Sequence, residues 1–477
     1  MQKKELKEKL DAYIGNASHI AILGMGREGW SSYGLIRELY PLQRLTCIDQ
    51  NPEILKKCDV PFITGENYLK ELVQKIDTFD LILKTPGISL KDYPLLLHSP
   101  KLSSQADLFL KLFAKQVIGV SGTKGKSTTT HLIYHFLKED RPCLLAGNMG
   151  IPFFDILSQI EPNTTVVCEF SSHQLEQVHT PAHISVLLNL FEEHLDHYQS
   201  FEDYQRAKMH ICAIDKQSSS SLLEDSSSVF IYHIDDSLLK IRSTEVCLPK
   251  NIETFSLLHP VERGLYKQGH YIVSTQEGRI LDLNRPHPLI GDHNILNWMA
   301  AMLSARMAGL SFATMVSRID SFKPLPHRLE YIGCVGEVHY FNDSISTIPQ
   351  AAVEAIKSVG KLDFVKEVGC LILGGFDRGI DYRFLVDYLK ENPIKNIIFV
   401  GESGQRIFRL LEVEKALPIH YLKTDDYTQV VRWAKEKTLA GEACLLSPAA
   451  ASYDHFKNFE ERGKVFTNLV LQGEASL

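Results

Sequence analysis

Val117-Ile118-Gly119-Val120-Ser121-Gly122-Thr123-Lys124-Gly125-Lys126-Ser127-Thr128-Thr129-Thr130 is the run that decides the fold. Its first residues are apolar and β-branched, which reads as a buried strand. A glycine-containing turn follows. The Ser/Thr run then opens the amphipathic stretch His131-Leu132-Ile133-Tyr134-His135-Phe136-Leu137. The reading is strand, loop, helix, with Gly-Lys-Ser where the helix begins. Unpaired N–H groups and the positive end of the helix dipole make such a turn a polyphosphate site. Lys126 would neutralise phosphate charge and Ser127 would hold Mg²⁺. The spacing departs from the strict Gly-x4-Gly-Lys pattern, because Val120 stands five residues before Gly125 and Gly122 is the nearer glycine. A plain strand-to-helix turn is the alternative.

Around this run the chain is an ordinary soluble polypeptide, with 44% hydrophobic and 23% charged residues. Its 477 residues exceed a single core and imply roughly two to four domains. The net charge of -7 excludes a general attraction to nucleic acid and a polybasic membrane face. No apolar run reaches membrane-spanning length, and the charged, helical N-terminus lacks a signal-peptide core. The nine cysteines are scattered without a Cys-x-x-Cys pair, so they are expected to be reduced, in a cytoplasmic protein.

Upstream, the strand His19-Ile20-Ala21-Ile22-Leu23 leads into Gly24-Met25-Gly26-Arg27-Glu28-Gly29. A second strand, Arg44-Leu45-Thr46-Cys47-Ile48, ends in Asp49. This Gly-x-Gly-x-x-Gly, with an acidic residue about twenty positions on, is a Rossmann-type fingerprint, which alone would suggest NAD. A further strand, Phe79–Lys84, ends at Thr85-Pro86-Gly87.

Downstream of the phosphate turn, Gly147-Asn148-Met149-Gly150 follows another strand, and Thr164–Cys168 ends in Glu169. An acidic strand end beside a phosphate loop suits Mg²⁺. The strand His183–Leu188 leads into Glu192-Glu193-His194-Leu195-Asp196-His197, which reads as a metal or phosphate cluster. A zinc reading of His194 and His197 lacks further ligands at matching spacing. Lys208 falls on the helix after Phe201, where it reads as a solvated lysine. Ser218-Ser219-Ser220-Ser221 reads as a loop, and short alternating strands follow. Asn294 and Asn297 share one face of a helix. From about Pro324 on, strands ending in small or polar residues alternate with helices: Val338–Phe341, Cys370–Leu373, Lys395–Val400 and Ala443–Leu446. That is a second parallel-sheet domain.

Taken in order, these segments resemble the Mur ligases of bacterial cell-wall synthesis. The matching motifs are Gly122–Thr128, Glu169–Glu176, Glu193–Asp196, Tyr204–Lys208, Gly291–Asn297, Pro326-His327-Arg328, Asn342-Asp343-Ser344 and Leu446–Gly463. The last block resembles most the glutamate-adding branch. The resemblance implies an α/β chain of three domains: a Rossmann-like UDP-substrate domain (1–104), a central P-loop ATPase-type parallel-sheet domain (105–324) and a C-terminal Rossmann-like glutamate domain (325–477). It implies a monomer working on small molecules, with ATP and Mg²⁺. The chemistry implied is phosphorylation of a UDP-sugar-alanine carboxylate, followed by attack of the glutamate amine on the acyl phosphate.

The same resemblance assigns roles. Gly122, Thr123, Lys124, Gly125, Lys126, Ser127 and Thr128, with Asn297, Arg328 and Asp343, match ATP contacts. Ser127, Glu169, His194 and a carbamylated Lys208 match the metal side. Lys126, His194 and Lys208 match the catalytic set. Gly24, Arg27, Glu28, Asp49, Gly87, Asn148 and His194 match the UDP-substrate side, so the Rossmann-like turn would bind UDP rather than NAD. Thr347, Arg378, Ser452, Tyr453 and Phe459 match the glutamate pocket.

Three departures from the family pattern keep the amino-acid end open. Ile345 stands where a lysine is usual, Tyr453 where a leucine is usual, and Arg378 where a lysine is common. D-glutamate is the leading substrate and L-glutamate the alternative. From a different class, an NAD-dependent oxidoreductase or a nucleotide-binding module would fit the first fingerprint but leave Glu169 and His194 without a role.

Overall fold

Apolar runs with β-branched residues form the centres of three sheets. The computed structural model describes residues 3–194, 196–212, 227–285, 288–413 and 420–472. The Ser218–Ser221 run lies outside them. The chain divides into two compact units, Met1–Pro286 with Ile295–Phe322, and His287–Asn294 with Lys323–Leu477.

The first unit holds two sheets. One contains β1 (His19–Leu23), β2 (Arg44–Asp49), β3 (Phe62–Thr64), β4 (Leu81–Lys84) and β5 (Leu102–Ser103), all parallel in the order β3-β2-β1-β4-β5. The order reverses between β1 and β4. Their carboxyl ends therefore frame a crevice, and both the Gly24 turn and Thr85-Pro86-Gly87 sit there.

The other sheet contains β6 (Val117–Ser121), β7 (Cys143–Gly147), β8 (Thr165–Glu169), β9 (Ile184–Leu187), β10 (Val229–His233), β11 (Asn251–Ser256), β12 (Gly264–Gln268), β13 (Tyr271–Ser274) and β14 (Gly278–Asp282). Its order is β14-β13-β12-β11-β10-β9-β6-β8-β7. All five residues of β6 are buried, as a strand covered on both faces requires. Because β6 lies between β8 and β9, the segments leaving these three strands emerge side by side. β12, β13 and β14 pair antiparallel and carry the sheet to one edge.

Buried polar groups join the two sheets of this unit. Gln105 Nε2 donates to Glu28 O at 2.8 Å and to Ser32 Oγ at 2.9 Å. Lys84, at the end of β4, is buried and places its Nζ 2.8 Å from Glu176 Oε2.

The second unit holds β15 (Glu330–Val335), β16 (Val338–Asn342), β17 (Val368–Gly374), β18 (Asn396–Val400), β19 (His420–Lys423) and β20 (Ala443–Leu446), in the order β15-β16-β20-β17-β18-β19. A wholly parallel sheet was the expectation here, and the structure adds one antiparallel edge strand. Gly336 and Glu337 both take positive φ (58° and 63°) and close a two-residue hairpin between β15 and β16. The nine cysteines are free thiols. Among the described residues no helix is long and apolar enough to cross a membrane.

Arg462 ties together the loops at one end of this third sheet. It lies on the helix Phe459–Leu471, capped by Asn458, and is 1% exposed. Its Nε donates to Ser344 Oγ (2.9 Å), Nη1 to Ala451 O (3.1 Å), and Nη2 to Ser344 O (2.7 Å) and Ala450 O (3.0 Å). Removing it strands the buried carbonyls of Ser344 and Ala450. Arg462→Leu is therefore expected to lower stability by roughly 3–5 kcal/mol, read as a lower urea midpoint of the full chain. A midpoint equal to that of the unaltered chain would contradict this role.

Candidate active site

The turn after β6 is shaped by two glycines. Gly122 has φ +146° and Gly125 φ +87°. A Cβ on Gly122 would lie 2.9 Å from Leu188 Cβ, and one on Gly125 would lie 2.3 Å from Asn297 Oδ1. Neither position has room for a side chain. The helix Lys126–Leu137 starts immediately after Gly125, so its first N–H groups face the turn.

The segment leaving β9 braces the turn. Thr123 N donates to Asn189 O (3.0 Å), Lys124 N to Asn189 Oδ1 (2.8 Å), and Asn189 Nδ2 to Lys124 O (3.1 Å). Thr123 Oγ1 lies 2.8 Å from Tyr204 Oη and accepts from Phe191 N at 2.9 Å. Asn297 accepts from Thr129 Oγ1 at 3.2 Å, which places it against the phosphate turn. Ser127 and Thr128 sit half-buried on the first turn of the helix.

Three lysines crowd this strand end, each handled differently. Lys124 Nζ pairs with Glu193 Oε1 at 2.5 Å. Lys126 Nζ donates to Gly122 O and Thr123 O, both at 2.9 Å. Lys208 is 2% exposed and donates to Gly122 O at 2.8 Å. Burial, and then the Lys126 charge, hold its amine well below the ordinary lysine range. The expectation of a solvated lysine is thereby corrected: Lys208 is a buried amine facing the phosphate turn.

Glu169 ends β8, in register with Val120 of β6 and Gly147 of β7. Its Oε1 accepts from Asn148 Nδ2 at 2.8 Å, while the buried Oε2 has no hydrogen-bond partner among the described residues. An unpaired carboxylate oxygen beside a phosphate turn is what a hard divalent cation would fill. Among the described residues no group of three or more His, Cys, Asp or Glu forms a ready metal cage. The residues present thus fit Mg²⁺ held jointly with phosphate oxygens, and not a zinc site.

His194 has φ 60°, unusual outside glycine. Its ring packs on His173 (centroids 4.6 Å), which packs on His197 (4.0 Å). Burial, with His197 and His194 alongside, pushes His173 down to about 3, so it is neutral. Glu176 is held down to about 2: burial alone would raise it, but the His197 and Lys84 contacts prevail. Lys84, His173 and Glu176 were not singled out from the sequence. A lysine closing the apolar run Leu81-Ile82-Leu83 was the available signal.

In the Rossmann-like crevice, Asp49 Oδ2 accepts from Met25 N (2.8 Å) and Oδ1 from Asn51 N (2.9 Å). Its carboxylate therefore already holds the glycine turn. Gly24, at φ +92°, packs against Thr85. Arg27 Nη1 donates to Gly150 O at 3.0 Å, and Glu28 Oε1 accepts from Gln174 Nε2 at 2.6 Å. Burial raises the Glu28 carboxyl from its usual range. Gly87 is exposed at the rim. The crevice and the phosphate turn thus share one unit.

In the second unit, Asp343 is buried. Its Oδ1 accepts from Leu329 N (3.1 Å), and its Oδ2 accepts from the hydroxyls of Ser447 (2.8 Å) and Ser346. Arg328 sits between two residues of positive φ, His327 and Leu329. Arg378 Nη2 donates to Thr347 O at 2.9 Å. Ser452 is buried and accepts from Phe456 N at 2.9 Å. Tyr453 is exposed, and Phe459 O accepts from Ser344 Oγ at 2.8 Å. Thr347, Arg378, Ser452, Tyr453 and Phe459 lie on loops at the carboxyl ends of β16, β17 and β20 or follow them in the chain.

A Gly-Lys-Ser turn at a helix N-terminus, after a strand flanked on both sides by parallel neighbours, defines a nucleotide-binding α/β protein. Comparison with known proteins gives the family. The Mur ligase middle domain matches residues 120–305. A UDP-N-acetylmuramoylalanine–D-glutamate ligase of Geobacillus sp. is 30% identical, over 94% of this chain and 97% of its own length. One from Clostridium botulinum is 31% identical over 87% of each chain. The solved MurF ligase from Thermotoga maritima in complex with ADP shares the fold, with a TM-score of 0.57 at 16% identity, over 89% of this chain and 98% of its own. The chain belongs to the Mur ligase family.

Burial raises the Asp343 carboxyl to about 6, against the pull of its hydrogen bonds. The folded state thus binds a proton more tightly than the unfolded one. Stability associated with Asp343 is full below about pH 4 and is lost as pH rises through about 6, by up to roughly 3 kcal/mol. Urea denaturation at pH 5 and pH 7 is expected to show a larger fall for the native chain than for Asp343→Asn. Equal falls would refute the shift.

Proposed function

We propose that the chain joins glutamate, D-glutamate foremost, to UDP-N-acetylmuramoyl-L-alanine at the expense of ATP, in cytoplasmic synthesis of the peptidoglycan precursor. The observation that carries this reading is the near end-to-end similarity to relatives named D-glutamate ligases. The clustering of the phosphate turn, Glu169, His194 and Lys208 at one sheet end supports it. The assignment divides the chain into a UDP-substrate domain (1–104), an ATP domain (105–324) and a glutamate domain (325–477), and takes the monomer as the active form.

In this reading, a carboxylate oxygen of the UDP-substrate attacks the γ-phosphorus of ATP, the bond to ADP breaks, and an acyl phosphate forms. The glutamate amine then attacks the acyl carbon. The tetrahedral adduct loses phosphate and a proton, leaving the amide. The first step brings two anions together, so fixed positive charge must be waiting. Lys126 and the N–H groups of the helix it opens supply that charge on the ATP side. Glu28, Arg27 and Asp49 line the UDP side, while Asn148 orients Glu169. Ser127, Glu169, His194 and a carbamylated Lys208 would hold Mg²⁺, which screens the triphosphate and polarises its γ-phosphoryl group.

The state of Lys208 suits that modification. Burial favours deprotonation of the Lys208 amine, whose lone pair then attacks CO₂; a proton is released and a carbamate carboxylate is left. Asn297, Arg328 and Asp343 are assigned to the nucleotide. Thr347, Arg378, Ser452, Tyr453 and Phe459 are assigned to glutamate.

With UDP-N-acetylmuramoyl-L-alanine and ATP, ADP release is expected with D-glutamate and not with L-glutamate. Release with L-glutamate alone would transfer the assignment to the other enantiomer, to which Ile345 in place of a lysine points. Lys126→Ala is expected to cut turnover by roughly 100-fold or more while the circular dichroism spectrum stays unchanged. Lys208→Ala is expected to lose activity and to regain part of it with added formate or acetate. No regain would remove the carbamate from the assignment.

A further inference from the structure

Two exposed aromatic rings stand at the rim where the third sheet's loops converge. Phe376 is 41% and Tyr453 68% exposed, yet their rings meet edge to face with centroids 6.4 Å apart. Both are carried on braced backbone. Phe376 N donates to Ala451 O at 2.9 Å, an isolated antiparallel bridge between the loops after β17 and β20. Gly374 N donates to Pro448 O at 2.7 Å, and buried Ser452 anchors the turn that follows Tyr453. The rings are thus held out from the core by construction.

The charge beside them is just as specific. Two residues beyond Phe376, the exposed Arg378 donates through Nη2 to Thr347 O. Asp377, between them, is turned away: its Oδ2 pairs with Arg406 Nη1 at 3.1 Å and its Oδ1 accepts from Gly379 N at 2.8 Å. The rim therefore offers a guanidinium and an aromatic wall, with the intervening Asp377 paired to Arg406. That combination suits a small molecule with a carboxylate at one end and a short apolar stem.

We propose that Phe376 and Tyr453 form the wall that covers the side-chain methylenes of the amino-acid substrate, with Arg378 taking a carboxylate, and that Phe376 is a specificity-determining residue. This rests on the amide-ligase reading above. The wall selects the two-methylene acid over the one-methylene acid by the area it covers, each buried methylene being worth about fourfold in binding.

The test is steady-state kinetics on the full chain, with ADP release measured against glutamate, aspartate, ATP and the UDP-substrate. The unaltered enzyme serves as the control for the underlying reading: if it releases no ADP in response to glutamate, the ligase assignment fails whatever the variants do. Given that release, Phe376→Ala is expected to raise the glutamate KM about tenfold, with the KM values for ATP and the UDP-substrate within about twofold. The glutamate-over-aspartate ratio of kcat/KM should fall about fourfold, and Phe376→Leu should recover most of both effects. Tyr453→Phe should behave as the unaltered enzyme, since the ring and not the hydroxyl forms the wall. An unchanged glutamate KM and selectivity in both Phe376→Ala and Tyr453→Ala would overturn the proposal. So would an equal rise in KM for all three substrates.

Discussion

Repulsion among three lysines organises the carboxyl end of β6. Lys124, Lys126 and Lys208 all approach a turn that must also receive a polyphosphate. The structure resolves the conflict in three ways: a carboxylate for Lys124, backbone carbonyls for Lys126, and burial for Lys208, which holds its amine well below the ordinary lysine range. The second holds the Lys126 ammonium at the turn on neutral carbonyls. The first ties Glu193 to the turn, and the third makes the Lys208 amine easier to deprotonate than an ordinary lysine. The rest of the first unit follows from this crowding. β8 and β9 must flank β6 so that Glu169 and Asn189 arrive at the same end.

The UDP-side crevice depends on a second set of buried polar contacts. Gln105 and Gln174 both bond Glu28, and Lys84 reaches Glu176 from the end of β4. Each of these contacts crosses from the first sheet to the second. A charged pair so buried is costly to break, because either partner alone would be left without solvent or counter-charge. The clasp therefore fixes the crevice relative to the phosphate turn, which an in-line transfer between two bound substrates requires.

Much of this was legible in the sequence wherever chemistry and periodicity coincide locally. The strands β1, β2 and β20 were read within a residue of their bounds, because a strand covered on both faces is a largely apolar run. The Gly24–Gly29 turn announced itself by spacing, and the phosphate turn by Gly-Lys-Ser between a strand and a helix. Pairings between distant residues were not legible. Nothing in the neighbourhood of Asp49 says that its carboxylate closes on Met25 N, and nothing around Lys208 says that it is buried. The hairpin at Gly336-Glu337 was missed because the reading began at Val338, after the turn. Arg462 lay inside a quoted motif, but its four hydrogen bonds run to loops more than ten residues away.

The lone oxygen of Glu169 also bears on the energetics of the fold. Asn148 satisfies one side of that carboxylate and nothing among the described residues satisfies the other. A buried acceptor without a donor costs the native state roughly 1–3 kcal/mol that the unfolded chain, solvated by water, does not bear. The native state is thus under-stabilised at the point where a cation and nucleotide would bind. Thermodynamic linkage then makes resistance to heat and protease a function of ligand concentration, growing as RT ln(1 + [L]/Kd). Melting curves would in that case report the occupancy of the site directly, without any turnover.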